Sequence, residues 1–463
     1  MCELTAAGRR FRVHARRPVV VGSFLLVVAA ILAWQLYVFI DRYAVNLMFW
    51  DQFAYYTPIF ESAGAWESFR YQYGPPRLGI GILLLELVAS MTRWSSRAEA
   101  FTSGVIFFAA AASAVALKYR LFKTLGYADV VILFIYMSLF RVESLVIVPS
   151  PSHGSIPTLL LLWYCAGLLA EKPLVRYSVV LTLNFVMLYT GFGIFVAPIT
   201  VGLFALDGWQ NRADRRVRTL AFAALALAVL SGASFLVGYR FDPASPDWSF
   251  SVSDVPLYPV FAGLMLASFW GARISWLSSN PRTSQLGEWL PTIVGLVLLA
   301  ILIVLLITHV RRIWREGIYQ NPLSLVSVVL VGFTLLFCFN TSVGRFFLGL
   351  EAAQVSRYHA LLLPAGLALY LHVLALPRPN IRLALVVLLV GVAVVGVLPL
   401  GLVDDYAGDV RDGRLRWRAC YLQVGDIERC NQEAAFEIFP HAELLAERLE
   451  FLKRNRLNLF AEE

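Results

Sequence analysis

Long apolar runs, separated by short polar junctions, dominate the chain between residues 19 and 402. An α-helix needs about 20 mostly apolar residues to cross a bilayer, and it satisfies its own backbone hydrogen bonds in lipid. The pattern predicts eleven spans, at residues 19–40, 98–117, 128–145, 156–171, 175–190, 191–207, 219–239, 288–310, 322–341, 358–376 and 383–402. The fifth and sixth are short and are separated at Gly191 and Gly193, so they could form a hairpin that does not cross fully.

The composition supports a membrane protein. Of 463 residues, 59% are hydrophobic and only 15% are charged, whereas soluble domains carry about a quarter charged residues. The net charge of +8 comes from basic residues scattered between apolar runs. That distribution is typical of topology signals, and we expect no nucleic-acid partner. The sequence therefore predicts an all-α polytopic membrane protein.

Basic residues mark one side of this predicted membrane domain. With eleven spans, all the basic junctions fall together, at residues 9–17, 118–123, 172–176, 212–218, 311–315 and 378–382. The positive-inside rule assigns that side to the cytoplasm. We therefore expect a protein of the bacterial cytoplasmic membrane with its N-terminus inside and its C-terminus outside.

The longer connecting segments then lie on the outer face, at residues 41–97, 240–287, 341–357 and 403–463. Residues 1–402 form the predicted transmembrane domain, and 403–463 form an outer tail. Within 41–97, the stretch from Gly74 to Trp94 is apolar but contains Glu86, so we expect an in-plane helix. In the tail, leucines at helical spacing predict an amphipathic helix on the protein or on lipid: Leu444, Leu445, Leu449 and Leu452.

Two cysteines, Cys420 and Cys430, lie in the predicted outer tail. An oxidising compartment favours a disulfide between them. Two free thiols are the alternative.

Three stretches resemble known motifs: WDQFAYY from Trp50, Gly74-Pro75-Pro76-Arg77-Leu78, and LYTGFGIFVAPITVGLF from Leu188. They resemble the type C membrane glycosyltransferases (the GT-C superfamily), especially the protein O-mannosyltransferase and lipid A aminoarabinose transferase branch. Those enzymes have an Asp-Glu pair after the first span, a Lys-Pro-Pro-Leu segment and a Leu-Thr-Lys-Gly hairpin. Here Asp51 matches the Asp, Gln52 replaces the Glu, and the hairpin has no Lys.

A second resemblance concerns the segment SVGRFFLGLEAAQVSRYHALLL from Ser342 and the tail sequence LLAERLEFLKRNRLNLF. Both are similar to a group of uncharacterised bacterial multi-pass proteins. Members of that group share a Gly-Arg…Ser-Arg-Tyr segment before a late span.

The GT-C resemblance implies transfer of a sugar from a polyprenyl-phosphate carrier to a glycan, lipid or protein acceptor at the outer face. Asp51 would then be the catalytic base that takes the proton of an acceptor hydroxyl. Partial burial among aromatic residues at the membrane border would strengthen it as a base. The alternative is an Asp that caps a helix starting at Gln52.

Further candidates follow the same logic. Arg77, Arg345 and Arg357 could hold the carrier phosphate through their forked donors, with Gln52 and Tyr358 as additional substrate contacts. Lipid headgroup contact is the alternative for the arginines.

Three more polar residues lie on the predicted outer side, namely Glu86, Glu143 and His153. They could act as acids, and Glu143 with His153 could bind a divalent metal. The alternative is that all three are ordinary surface residues.

The sequence leaves other functional classes open. A flippase or transporter for a lipid-linked saccharide would use similar arginines and aromatic residues. Transporters usually place charges at the midplane and contain inverted repeats, and neither pattern is evident here. A polysaccharide polymerase would also need arginines in its outer loops.

Overall fold

The computed structural model describes residues 3–240, 250–273, 284–398 and 401–461. Apart from two isolated β-bridges, Gln72–Arg77 and Arg77–Gly191, its regular structure in these ranges is helical. The helices are α1 Glu3–Tyr43, α2 Asp51–Tyr55, α3 Thr57–Phe60, α4 Ala65–Arg70, α5 Ile80–Thr92, α6 Ser96–Phe122, α7 Val130–Tyr136, α8 Ser155–Leu168, α9 Pro173–Leu188, α10 Val196–Gln210, α11 Arg215–Leu236, α12 Tyr258–Phe269, α13 Ser284–Glu316, α14 Pro322–Arg345, α15 His359–Leu374, α16 Pro379–Val395, α17 Gly401–Val424, α18 Ile427–Ala434 and α19 Ala442–Arg454.

Seven segments of the described chain are helical, long and apolar enough to cross a membrane. They are Val19–Tyr43, Ser96–Phe122, Phe192–Gln210, Arg215–Leu236, Val252–Phe269, Trp289–Glu316 and Pro322–Leu348. The structure thus confirms an all-helical protein and is consistent with a polytopic membrane protein. Several of the other expected spans correspond to shorter apolar helices, among them α8, α9 and α16, so the count of eleven stays a prediction.

The expected span at 128–145 is not one continuous helix. Helix α7 ends at Tyr136, and a π-helical turn follows at Glu143–Ile147. The buried guanidinium of Arg141 donates hydrogen bonds to the carbonyls of Ile135 and Tyr136. Those carbonyls lie at the end of α7, where helices leave acceptors unsatisfied, so the arginine stabilises the break.

The segment 240–287, expected as an outer loop, contains the buried helix α12. Its Gly263 lies against Gly295 of α13 so closely that a Cβ atom on Gly295 would come within 2.1 Å of the Gly263 carbonyl oxygen. Glycine at this position therefore permits the two helix backbones to touch. The segment Val252–Phe269, which includes α12, is long and apolar enough to cross a membrane, so the expectation of a plain outer loop at 240–287 is corrected.

The predicted outer segments pack together at one end of the protein, which we call the Asp51 end. It consists of residues 44–94, 143–153, 345–358 and 403–461. Asn458 donates a hydrogen bond to the Trp94 carbonyl (2.6 Å), and Arg414 donates to the Val146 and Ile147 carbonyls (3.1 and 3.2 Å).

Contacts within and between the basic junctions lie in another part of the protein. Lys118 forms a buried 2.7 Å ion pair with Asp129, and Gln210 donates a hydrogen bond to the carbonyl of Ile313 (2.9 Å). In addition, the guanidinium of Arg176 lies 3.5 Å from the ring centroid of Tyr319. The junctions near residues 176, 210 and 313–319 therefore lie close together, and the sidedness of the basic junctions stays a prediction.

The tail is a helical unit that forms part of the Asp51 end. Cys420 and Cys430 form a disulfide with their Cα atoms 5.6 Å apart, which resolves the alternative left open by the sequence. Leu445, Leu449 and Leu452 are completely buried. The amphipathic helix α19 therefore lies on the protein rather than on lipid.

Candidate functional site

Asp51 begins helix α2 in an unusual backbone setting. The preceding residue, Trp50, has φ 48° and ψ −123°, a conformation that is costly for any residue with a side chain. The Trp50 amide donates a 2.8 Å hydrogen bond to the carbonyl of Ile438, so the tail helps to hold this turn. Helix α2 starts at Asp51 itself and has Trp50 as its N-cap, which argues against the alternative of an Asp that caps a helix starting at Gln52.

The Asp51 carboxylate instead faces polar side chains from distant segments. Tyr73 donates a 2.7 Å hydrogen bond to Oδ1, whereas the Tyr55 hydroxyl lies 3.4 Å from Oδ2. The Nη1 atom of Arg357 lies 3.7 Å from Oδ2. The Asp51 side chain keeps 28% of its surface exposed. Thus Oδ1 is firmly engaged, while Oδ2 has only long contacts.

Glu143 positions the segment that carries Arg357. Its Oε2 accepts hydrogen bonds from the Arg357 amide (2.9 Å) and the Ser356 hydroxyl (3.0 Å). The Ser356 hydroxyl in turn accepts a 3.1 Å hydrogen bond from the Glu143 amide. This reciprocal contact ties the π-helical turn to a segment 213 residues away.

His153 lies behind Tyr55. The two rings stack with centroids 4.9 Å apart, and His153 Nδ1 shares a 2.8 Å hydrogen bond with the Ser150 hydroxyl. Burial lowers the pKa of His153 to about 4, although the Asp51 charge opposes that change. The imidazole is therefore neutral near pH 7, and it supports the Tyr55 ring rather than adding a positive charge.

Tyr358 and Arg345 adjoin the same cluster. Tyr358 is buried, and the Arg357 guanidinium lies 5.8 Å from its ring centroid. Burial raises the pKa of Tyr358, while the charges of Arg357 and Arg345 oppose the rise. Both arginines are thus close enough to act electrostatically on one hydroxyl group.

We name Asp51, Tyr55, Tyr73, Glu143, His153 and Arg357 the Asp51 cluster. Four of its members were predicted candidates from three separated segments of the sequence.

Arg77 does not belong to the Asp51 cluster. Only 2% of its surface is exposed, and its Nη2 donates 2.9 Å hydrogen bonds to the carbonyls of Phe235 and Val237. Its guanidinium also lies over the rings of Tyr189, Phe235 and Tyr239. This geometry argues against the phosphate-binding role predicted for Arg77, because its donors stabilise the end of α11.

Gln52 is also structural. It is completely buried, with Nε2 donating to Glu99 Oε2 and Oε1 accepting from the Phe49 amide, both at 2.9 Å. No face of this side chain remains for a substrate, so the predicted contact is corrected. Glu86 lies half-buried on α5, and no contact in the described chain links it to the Asp51 cluster.

One member of the cluster, Tyr73, escaped sequence reasoning. Tyr73, in the stretch YQYGPP, supplies the shortest hydrogen bond to Asp51. Its position just before a Pro-Pro turn was the only available signal.

Among the described residues, no three His, Cys, Asp or Glu side chains lie together in a way that could hold a metal ion. Glu143 and His153 contact different partners, which argues against the predicted metal role.

The arrangement can accept a proton and bind an anion next to it. Comparison with other proteins gives no further assignment: no protein-family model, no curated protein and no solved structure matches this chain.

Proposed function

We propose that the protein is a membrane glycosyltransferase of the GT-C type, which uses a polyprenyl-phosphate sugar. The observation that carries this proposal is the pairing of Asp51 with Arg357 at an accessible rim. A carboxylate with one loosely engaged oxygen suits a general base, and a guanidinium beside it suits a phosphate leaving group.

In this mechanism, Asp51 Oδ2 takes the proton from an acceptor hydroxyl. The acceptor oxygen forms a bond to the anomeric carbon of the sugar as the bond from that carbon to the phosphate oxygen breaks. The electron pair of the breaking bond stays on the phosphate. Arg357, with Arg345 nearby, stabilises the resulting charge.

Tyr73 and Tyr55 orient the base. The 2.7 Å hydrogen bond from Tyr73 fixes Oδ1 and leaves Oδ2 directed towards Tyr55 and Arg357. The Trp50 side chain, 44% exposed next to Asp51, offers an aromatic surface on which a sugar ring can pack.

The test is sugar transfer by the full chain in lipid nanodiscs, with a panel of radiolabelled polyprenyl-phosphate sugars. Asp51→Asn should lower turnover by ~10²–10⁴-fold, the usual contribution of a general base. Glu61→Gln, an exposed acid in the same loop, is the matched control. Near-normal transfer by Asp51→Asn, or ATP-independent flipping of a lipid-linked saccharide without any transfer, would refute the proposal.

We also propose that the Asp51 end faces the outside of a bacterial cytoplasmic membrane. The disulfide Cys420–Cys430 supports this orientation because disulfides persist in oxidising compartments. Single cysteines at Arg454 and at Arg212, introduced into a background without native cysteines, test it with an impermeant maleimide. Residue 454 should react in intact cells and residue 212 only after lysis; the reverse pattern would contradict the orientation.

A further inference from the structure

A polar cavity lies at the border of the Asp51 end, where α1 ends, α6 begins and α17 packs across them. Its volume is about 250 Å³, far more than one water molecule requires. Its lining includes Asp41 and four arginines, Arg42, Arg97, Arg411 and Arg418. The charged side chains lining this space therefore carry an excess of three positive charges. We call it the arginine cavity.

The pairing of these arginines leaves donors directed at the cavity. Arg97 forms a 2.7 Å ion pair with Asp41 and also donates hydrogen bonds to the carbonyls of Asp41 (3.1 Å) and Ala44 (2.9 Å). Arg418 donates to the carbonyl of Leu459 (3.5 Å), and Arg411 forms a 2.9 Å ion pair with its neighbour Asp412 at the surface. Arg42 makes only a ring contact with Tyr43 within the described chain, at 5.2 Å. Since each guanidinium carries five donors, Arg42 and Arg411 retain most of theirs for a ligand, whereas Arg97 and Arg418 retain fewer.

Helix geometry explains why so many arginines converge here. Arg411, Arg414 and Arg418 recur at helical spacing, which places them on one face of α17. Arg414 is buried and donates to the carbonyl of Val45 (3.0 Å) and to that of Leu47. This central arginine clamps α17 onto the chain after α1, so that Arg411 and Arg418 reach the cavity from either side.

The level of the cavity relative to the membrane indicates its ligand. Arg42 belongs to the last turn of the apolar segment Val19–Tyr43, and Arg97 to the first turn of the apolar segment Ser96–Phe122. The ends of spanning helices lie at the level of lipid headgroups. Clustered arginines at that level attract anionic lipids, and arginine matches the geometry of a phosphate group.

We propose that the arginine cavity binds a phosphate group, carried by an anionic membrane lipid. Binding there would join α1, α6 and the tail through one ligand. This proposal is independent of the glycosyltransferase assignment, because none of the residues lining the cavity belongs to the Asp51 cluster.

The experiment measures binding of a fluorescent phosphatidylglycerol to the full chain in zwitterionic nanodiscs. The variant is Arg42→Gln/Arg411→Gln, which removes two cavity charges that lie near the surface and leaves Arg414 intact. Arg416→Gln, an exposed position on the same helix, is the matched control. An arginine near an anionic lipid surface contributes a factor of about five in affinity, so the double variant should bind roughly 25-fold more weakly than the control.

Competition by inorganic phosphate distinguishes the source of the group. Displacement by phosphatidylglycerol but not by millimolar phosphate supports a lipid ligand. Displacement by both supports the phosphate site but makes a soluble phosphate its ligand. Equal phosphatidylglycerol binding by the double variant and the control, with matching melting temperatures, would overturn the proposal. If the double variant melts early, Arg42→Gln alone is compared with the control by the same criterion.

Discussion

The Tyr73 hydroxyl donates a 2.7 Å hydrogen bond to Asp51 Oδ1. In the sequence, only the adjacent Pro-Pro turn marks the position of Tyr73. This hydrogen bond holds Oδ1 of the carboxylate, while Oδ2 has only the longer contacts with Tyr55 and Arg357. Tyr73→Phe should therefore lower sugar transfer by about 10- to 100-fold, since a hydrogen bond to a charged group contributes about 1.5–3 kcal/mol. The fold should persist, because the ring remains. Turnover and the melting temperature are the measurements, and Tyr71→Phe is the matched control.

Arg357 and Glu143 can be separated by their effects. Arg357→Lys keeps the charge but loses the fork, so it should weaken use of the phosphate-linked donor, and Arg357→Ala should weaken it further. Glu143→Gln keeps an acceptor for the Ser356 hydroxyl and the Arg357 amide and should have a smaller effect. The measurement is KM for the donor. Unchanged KM in both Arg357 variants would remove the phosphate contact from the mechanism.

Arg77 should behave as a structural residue. Arg77→Met removes the donors that the carbonyls of Phe235 and Val237 use, and each buried acceptor left unsatisfied costs about 1–3 kcal/mol. We expect a lower melting temperature with unchanged donor KM in the fraction that remains folded. An altered KM with normal stability would instead return Arg77 to the binding site.

The lowered pKa of His153 predicts that folding stability depends on pH. Its pKa in the folded protein is about 4 and about 6.5 when unfolded, so the unfolded state binds the proton more readily. Folding stability should be constant above pH 6.5 and should fall as the pH drops from 6.5 towards 4, by at most ~3 kcal/mol. His153→Phe, which keeps a ring against Tyr55, should flatten that part of the profile. Melting temperatures between pH 4 and 8 test it; an identical slope in the variant would exclude His153 as the cause.

The disulfide should stabilise the tail. Closing a loop of this size, with a sequence separation of 10, contributes about 2–3 kcal/mol by restricting the unfolded chain. Cys420→Ser/Cys430→Ser should make the tail easier to digest by protease while the membrane helices stay protected. The paired comparison is Cys165→Ser, a free buried thiol in α8. Equal protease resistance of the double variant and wild type would contradict this role.

Sequence reasoning located much of the Asp51 cluster because of where charge falls along the chain. Basic junctions divided the connecting segments into two groups, and Asp51, Glu143 and Arg357 then belonged to the same group. The structure brings these three residues together at the Asp51 end.

The incorrect predictions have a common physical origin: the residues concerned contact partners that are distant in the sequence. The carbonyl acceptors of Arg77 lie 158 and 160 residues away, and the carboxylate partner of Gln52 lies 47 residues away. No local pattern shows that such polar side chains will be buried. Similarly, Arg141 is a single charged residue within an apolar run. Its role in ending α7 depends on the burial of its side chain, which a hydropathy pattern does not show.

The hydrogen bond from Asn46 to the carbonyl of Asn458 joins positions 412 residues apart (3.0 Å). The Asn458 side chain also accepts from the Met48 amide (3.1 Å), three residues before Asp51. Because ribosomes synthesise the chain from its N-terminus, Asp51 emerges long before these partners exist. Contacts between such distant positions form late in folding. The chain around Trp50 therefore acquires its full support only after residues 438 and 458 have been translated.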